Sequence, residues 1–252
     1  MTSRETDRLR ILGRLLWLCA ELVLAAIDYA THCAFCCSAS LPKARAEWLQ
    51  HAARRILRVL RVHTRCQNSA PISGLLVCNH LSYLDVLVLA ALAPSRFVAK
   101  SEVKHWPVFG WFARLAGTIF VNRNKPLHSG QTAEEIGVAI SQGVVVVLFP
   151  EGTSSGGQTV LPFKSSLLEP ATRDHHAVTA GCLTYELADG NVSEEVCYWK
   201  DMTLVPHLIN LLGKRRIYAT VSFSKLRSGS ANRKELARQL RSEVLKLKEA
   251  LA

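Results

Sequence analysis

The sequence predicts an α/β fold: a mixed, mostly parallel sheet flanked by helices, preceded by an N-terminal membrane-associated two-helix segment. Three observations carry it. From about residue 70 onward, short apolar runs alternate with segments of helical periodicity. Val144-Val145-Val146-Val147-Leu148 is apolar without a break, as a central strand covered on both faces requires. Hydrophobic residues make up 49% of the 252, enough to fill a core on both sides of a sheet.

The N-terminal elements come first. Residues 11–39 are mostly apolar and long enough to span a bilayer. Arg14, Glu21 and Asp28 interrupt them every seventh residue, so on a helix they share a face. That stripe is costly against lipid and suits a helix lying in the interface or packed against a partner. The acids also break the apolar centre a signal peptide needs. Residues 43–65 read as a second helix. Arg54, Arg58, Arg61 and Arg65 line one side; Leu49, Ala52, Ala53, Ile56, Leu57 and Leu60 line the other. Basic opposite apolar is the pattern of a helix on an anionic membrane, or of a core helix with a solvated basic face. Arg4, Arg8 and Arg10 before the first stretch, and Lys43 and Arg45 after it, favour both ends on the cytoplasmic side. A monotopic or re-entrant hairpin fits that better than a single crossing.

Beyond them, strands are predicted at 74–78, 96–99, 118–121, 144–148, 177–184 and 217–223. Helices are predicted at 82–93, 104–115, 129–141 and 231–250. Residues 186–200 and 225–231 read as surface loops. Leu236, Leu240, Val244 and Leu247 give the last helix one apolar stripe among basic residues.

A net charge of +11 favours an anionic partner: nucleic acid, anionic lipid or an acidic carrier protein. The eight cysteines form no secreted disulfide framework. His32-Cys33-x-x-Cys36-Cys37 lacks the second pair of a zinc site, so no metal is expected.

The chemistry centres on Asn79-His80-Leu81-Ser82-Tyr83-Leu84-Asp85, between a predicted strand and a predicted helix. Ser82-x-x-Asp85 has the spacing of a capping box. On a continuous helix His80 and Asp85 would diverge. With His80 ahead of the cap, the imidazole folds back onto the carboxylate, which gives a general base of fixed tautomer. Asp85 as a cap alone and His80 as an ordinary loop residue is the plainer reading of this stretch taken by itself.

Three further blocks follow: Gly117-Thr118-Ile119-Phe120-Val121-Asn122-Arg123, Phe149-Pro150-Glu151-Gly152-Thr153-Ser154-Ser155 and Pro162-Phe163-Lys164-Ser165-Ser166. In this order and at these separations, the set resembles the glycerolipid acyltransferase family, specifically 1-acylglycerol-3-phosphate acyltransferases, over about residues 70–225. The resemblance implies a membrane-associated helical segment at 1–65 and an acyltransferase domain at 66–252. It implies transfer of an acyl group from acyl-CoA or acyl-ACP to the free hydroxyl of lysophosphatidic acid, giving phosphatidic acid in phospholipid biosynthesis. His80 and Asp85 would be catalytic, His80 taking the hydroxyl proton for direct attack on the thioester. No acyl-enzyme and no cofactor are needed.

Arg123, Glu151, Gly152 and Lys164 would bind substrate. A guanidinium at the end of a strand grips phosphate bidentately. Glu151 would bond acceptor hydroxyls or fix Arg123, and Gly152 would let the backbone approach the ligand. Lys164 adds a second cation, and Lys100 is a further candidate. Membrane lipids and the thioester carrier are the expected partners, at the cytoplasmic face of the inner membrane, and nucleic acid is not.

Two departures qualify the acceptor. Family members often carry Arg where this chain has Ser154, and the Ser-Ser variant also resembles the branch that acylates lyso-ornithine lipid. The fourth block, Ala177-Val178-Thr179-Ala180-Gly181, lacks its usual proline. Gly152-x-Ser154-x-Gly156 matches the serine-hydrolase elbow, but no helix start follows and His80 lies upstream, the wrong chain order. A non-catalytic protein that binds anionic membranes or nucleic acid by charge is the alternative of another class. It leaves the ordered blocks unexplained.

Overall fold

Strands β1 (Val62–Gln67), β2 (Gly74–Cys78), β3 (Ser95–Lys100), β4 (Ile119–Val121), β5 (Val145–Leu148), β6 (Val178–Leu187) and β7 (Ile217–Lys225) form one sheet, ordered β1-β7-β6-β2-β5-β3-β4. The computed structural model describes residues 3–121, 128–173, 176–226 and 232–251. Neighbouring strands are parallel except β6 and β7, which run antiparallel. The predicted mixed, mostly parallel sheet is therefore the architecture observed. The helices are α1 (Ser3–His32), α2 (Leu41–Val59), α3 (Leu84–Leu92), α4 (Phe109–Leu115), α5 (His128–Ser141), α6 (Glu169–Arg173), α7 (Val192–Glu195), α8 (Leu204–Gly213) and α9 (Arg233–Leu251).

Side chains alternate across the pleat, and both faces are covered. Leu76, Cys78, Val145 and Val147 enter one apolar cluster, shared with Leu57 of α2 and Val88 of α3. Leu75, Val77, Val146 and Leu148 enter another, shared with Ile136 of α5 and Leu240 of α9. The unbroken apolar run of β5 follows from this double burial.

The second helix stops at Val59, short of the expected residue 65. Arg61 takes a left-handed backbone, with φ 56°. The chain then enters β1, whose Val62 is buried and whose other five residues are exposed. The four arginines consequently share no helical face. Arg54 Nε donates to the Ala91 carbonyl at 2.9 Å, and Arg65, on β1, lies over the Tyr218 ring at 4.3 Å. Ala53, Leu57, Val59 and Leu60 belong to the cluster on the sheet, so residues before 66 include a strand and a helix of the main core.

The polar stripe of α1 turns inward. Arg14 donates to the Leu212 carbonyl at 2.9 Å, at the end of α8. Arg55 of α2 pairs with Glu21 at 3.0 Å and Asp28 at 2.5 Å. The partner that the stripe called for is this chain's own next helix and α8. The helix expected over 104–115 is split into a 3₁₀ turn, Ser101–His105, and α4. Pro107 and the left-handed Val108 (φ 62°) separate them. The loop expected over 186–200 holds the end of β6 and all of α7, while 227–231 of the other loop lie outside the described residues. The sequence reading did not include α8. Its Pro206 falls in the first turn, where no N–H is required of it.

Candidate active site

β2 ends at Cys78, and the chain leaves the sheet at the carboxyl edge beside β5, where open α/β sheets place their ligand crevices. Asn79 prolongs the ladder with its side chain. Its Nδ2 donates to the Leu183 carbonyl at 2.9 Å, and the Leu183 amide donates back to Oδ1 at 2.8 Å. The residue that follows is thereby fixed against β6.

That residue is His80. Its Nδ1 stands 2.7 Å from Asp85 Oδ2. The same oxygen accepts the amides of Leu81 at 2.6 Å and Ser82 at 3.0 Å. Oδ1 accepts the Tyr185 hydroxyl at 2.8 Å. The Ser82 contact is one half of the expected capping box. The other half is not made: the helix starts at Leu84, and the buried Ser82 hydroxyl has no hydrogen-bond partner among the described residues. The Asp85 side chain is 0% exposed and that of His80 22%, so the acid is sealed while the base borders the cleft. With Nδ1–H donating to Asp85, Nε2 is the nitrogen left to take a proton. The imidazole stacks on Phe149, ring centroids 4.2 Å apart and planes 17° from parallel.

Glu151 is placed differently from the reading as a hydroxyl-binding group. It is 3% exposed. Oε1 accepts the His80 amide at 2.8 Å and Oε2 the Leu161 amide at 2.9 Å. Both oxygens are committed to backbone, so the carboxylate brackets the His80 loop against the segment ahead of Lys164. Burial pushes its carboxyl above the usual range, while these two amides and His80 pull it down. Gly152 lines the cleft and closes a turn, its amide on the Phe149 carbonyl at 3.1 Å. Its φ of 74° is what demands glycine. Lys164 is exposed and is not among the residues lining the cleft; its backbone amide donates to the Pro150 carbonyl at 2.9 Å. Lys100 does line the cleft. Arg123 lies outside the described residues.

The cleft encloses about 320 Å³ beside His80 and Phe149, with Trp106 and Tyr198 among its walls. One wall, Cys197–Lys200, falls in what the sequence reads as a surface loop. It is stitched to the motif: the Tyr198 amide donates to the Leu81 carbonyl at 2.8 Å, and the Ser154 hydroxyl donates to the Tyr198 carbonyl. The Ser155 amide donates to the His80 carbonyl at 3.0 Å. Ser154 thus sits six residues past β5 in an irregular segment, without the strand–turn–helix of a nucleophile elbow. Tyr185 carried no signal in the sequence, since it meets Asp85 across a separation of 100 residues.

A sealed carboxylate orients a half-buried histidine over a cleft at the carboxyl edge of the sheet, an arrangement able to take a proton from a bound group. Comparison with known proteins gives the family. The Acyltransferase family model matches residues 60–181. The chain is 33% identical over 219 residues to the lyso-ornithine lipid O-acyltransferase of Rhizobium meliloti (strain 1021), covering 79% of this chain and 74% of that protein. It is 31% identical over 185 residues to the 1-acyl-sn-glycerol-3-phosphate acyltransferase of Neisseria meningitidis serogroup B, covering 72% of each. The crystal structure of the 1-acyl-sn-glycerophosphate (LPA) acyltransferase PlsC from Thermotoga maritima shares the fold: TM-score 0.66, 17% identity, 98% of each chain covered. The chain belongs to the glycerolipid acyltransferase family, and it is an acyltransferase acting on lysolipids.

Proposed function

We propose that the protein transfers a fatty acyl group from a thioester of coenzyme A or acyl carrier protein to the free hydroxyl of lyso-ornithine lipid. The observation that carries the chemistry is the His80–Asp85 contact at 2.7 Å with the acid sealed and the base at the cleft. His80 Nε2 takes the hydroxyl proton as the oxygen attacks the thioester carbonyl. The tetrahedral intermediate collapses, the C–S bond breaks, and the imidazolium returns the proton to the leaving thiolate. A base so held contributes about 10²- to 10⁴-fold.

Ser154 supports the acceptor. It is neutral, and its hydroxyl is committed to the Tyr198 carbonyl, so this position offers an anionic head group no charge. The name and coverage of the Rhizobium relative favour the same acceptor. This reverses the order read from the sequence, where lysophosphatidic acid stood first. Lysophosphatidic acid is the second reading, favoured by Arg123 in the sequence and by the name of the Neisseria relative. Initial rates of labelled acyl transfer to the two acceptors, side by side, decide between them. We expect the higher kcat/KM on lyso-ornithine lipid; turnover of lysophosphatidic acid alone would make it the acceptor.

Such an acceptor lies in a bilayer, and α1 supplies a surface for it. Leu9, Leu12, Leu16, Val23 and Ile27 are exposed and share one helical stripe, on the side away from Arg14, Glu21 and Asp28. No helix among the described residues is long and apolar enough to cross a membrane. In this reading α1 lies in the interface at the cytoplasmic face of the inner membrane.

A further inference from the structure

We infer that Tyr185 is a positioning residue for acyl transfer: its hydroxyl holds the outer oxygen of Asp85 so that the inner oxygen stays aligned on His80 Nδ1. The inference rests on His80 being the base. Three of the four donors to Asp85, from His80, Leu81 and Ser82, converge on Oδ2, and among the described residues Tyr185 alone serves Oδ1. A carboxylate bonded through one oxygen is free to rotate about Cβ–Cγ; the phenol on the other removes that freedom.

The phenol is itself indexed to the motif. Leu183 and Tyr185, two apart on β6, project to the same face, and both are buried in one cluster. The Leu183 backbone is clamped at both its amide and its carbonyl by Asn79, the residue before His80. Strand β6 therefore sets the positions of His80 and of the Asp85 carboxylate together. Burial, and then the Asp85 charge, push the phenol well above its ordinary range, so it remains a donor at every working pH.

A phenol bonded to Asp85 also draws off carboxylate charge, which lessens the stabilisation of the His80 imidazolium. The other titratable groups around the pair, among the described residues, include Glu151 after β5, Cys78 on β2, Cys197 ahead of α8, and Tyr83, Tyr198, Lys100 and Lys200 at the cleft, with Cys182 on β6 beyond Glu151. Burial pushes the three thiols up, Cys182 and Cys197 to about 12. Glu151 is the carboxylate of this set, and burial raises its carboxyl above the usual range.

The test compares the wild type with Tyr185→Phe, with 3-fluorotyrosine at 185, and with His80→Ala. We expect Tyr185→Phe to lower kcat by about tenfold with KM values unchanged. Its acid limb of kcat/KM should move up by about half a pH unit. The fluorinated phenol, a stronger donor, should move that limb down. Loss of turnover in His80→Ala with an unmoved limb and unchanged kcat in Tyr185→Phe would overturn the inference while sparing the base. Turnover retained in His80→Ala would overturn the base, and this inference with it. A Tyr185→Phe protein that loses only stability, keeping kcat per folded molecule and its limb, would show a structural role alone. If it does not fold, an unmoved limb in the fluorotyrosine protein overturns the inference.

Discussion

Asp85 and Glu151 are buried carboxylates without a Lys or Arg partner among the described residues, and backbone amides stand in for the water they lose. Each takes two: Leu81 and Ser82 for the first, His80 and Leu161 for the second. A buried acceptor costs little when its donors are built into the chain and much when one is removed. Glu151→Gln should turn an acceptor into an NH₂ facing an amide N–H. We expect a stability loss of about 1–3 kcal/mol by denaturant unfolding, with kcat falling because the His80 loop loosens. Unchanged stability with only a raised acceptor KM would instead make Glu151 a hydroxyl-binding group. His80 and Asp85 were legible in the sequence because they share one short segment and the ordered blocks downstream single it out. The work of Glu151 was not, because its partners lie 71 and 10 residues away and backbone amides carry no sequence signature.

At the scale of elements, the site depends on segments that the sequence reads as plain loop or omits. Helix α8 holds His207, whose Nε2 donates to the Cys197 carbonyl at 3.1 Å and whose Nδ1 meets the Tyr83 hydroxyl at 3.1 Å. It thereby pins the Cys197–Lys200 wall to the motif. Helix α9 acts on the opposite flank: Arg241 donates to the Val160 carbonyl at 2.7 Å and Lys248 to the Gln158 carbonyl at 2.7 Å. Both cations are among the basic residues around the apolar stripe of this helix. Burial lowers the pKa of His207, against the opposing pull of the Cys197 carbonyl. A histidine depressed on folding contributes stability in full above its unfolded value, near 6.5. That contribution is lost as pH falls through the lower folded value. His207→Gln should therefore cost about 1 kcal/mol at pH 7.5, and the gap to wild type should narrow in acid. A gap constant from pH 7.5 to 5.5 would contradict this. The core strands were legible because burial on both faces forces unbroken apolar runs. The end of α2 was not, since the helical pattern of 54–60 runs on into β1 and only the left-handed Arg61 breaks it.

For the molecule as a whole, charge and apolar surface act in different places. Arg54, Arg58, Arg61 and Arg65, set opposite an apolar face, read in the sequence as a helix lying on an anionic membrane. In the structure Arg54 and Arg58 stay on α2, Arg61 and Arg65 fall beyond its end, and all four are exposed, while the apolar stripe of α1 also faces outward. Replacing Leu12, Leu16 and Val23 with Ser should weaken vesicle binding roughly 100-fold, at about 1 kcal/mol per side chain. Turnover of detergent-dispersed acceptor should survive. Vesicle cosedimentation unaffected by all three would place the contact elsewhere. The central claim, that a carboxylate-held histidine activates the acceptor hydroxyl, is tested most directly by single-turnover acyl transfer in His80→Ala, at saturating thioester and acceptor, on protein shown to be folded. The account predicts a rate lowered by at least about 10²-fold with acceptor affinity intact. A rate within tenfold of wild type would contradict it.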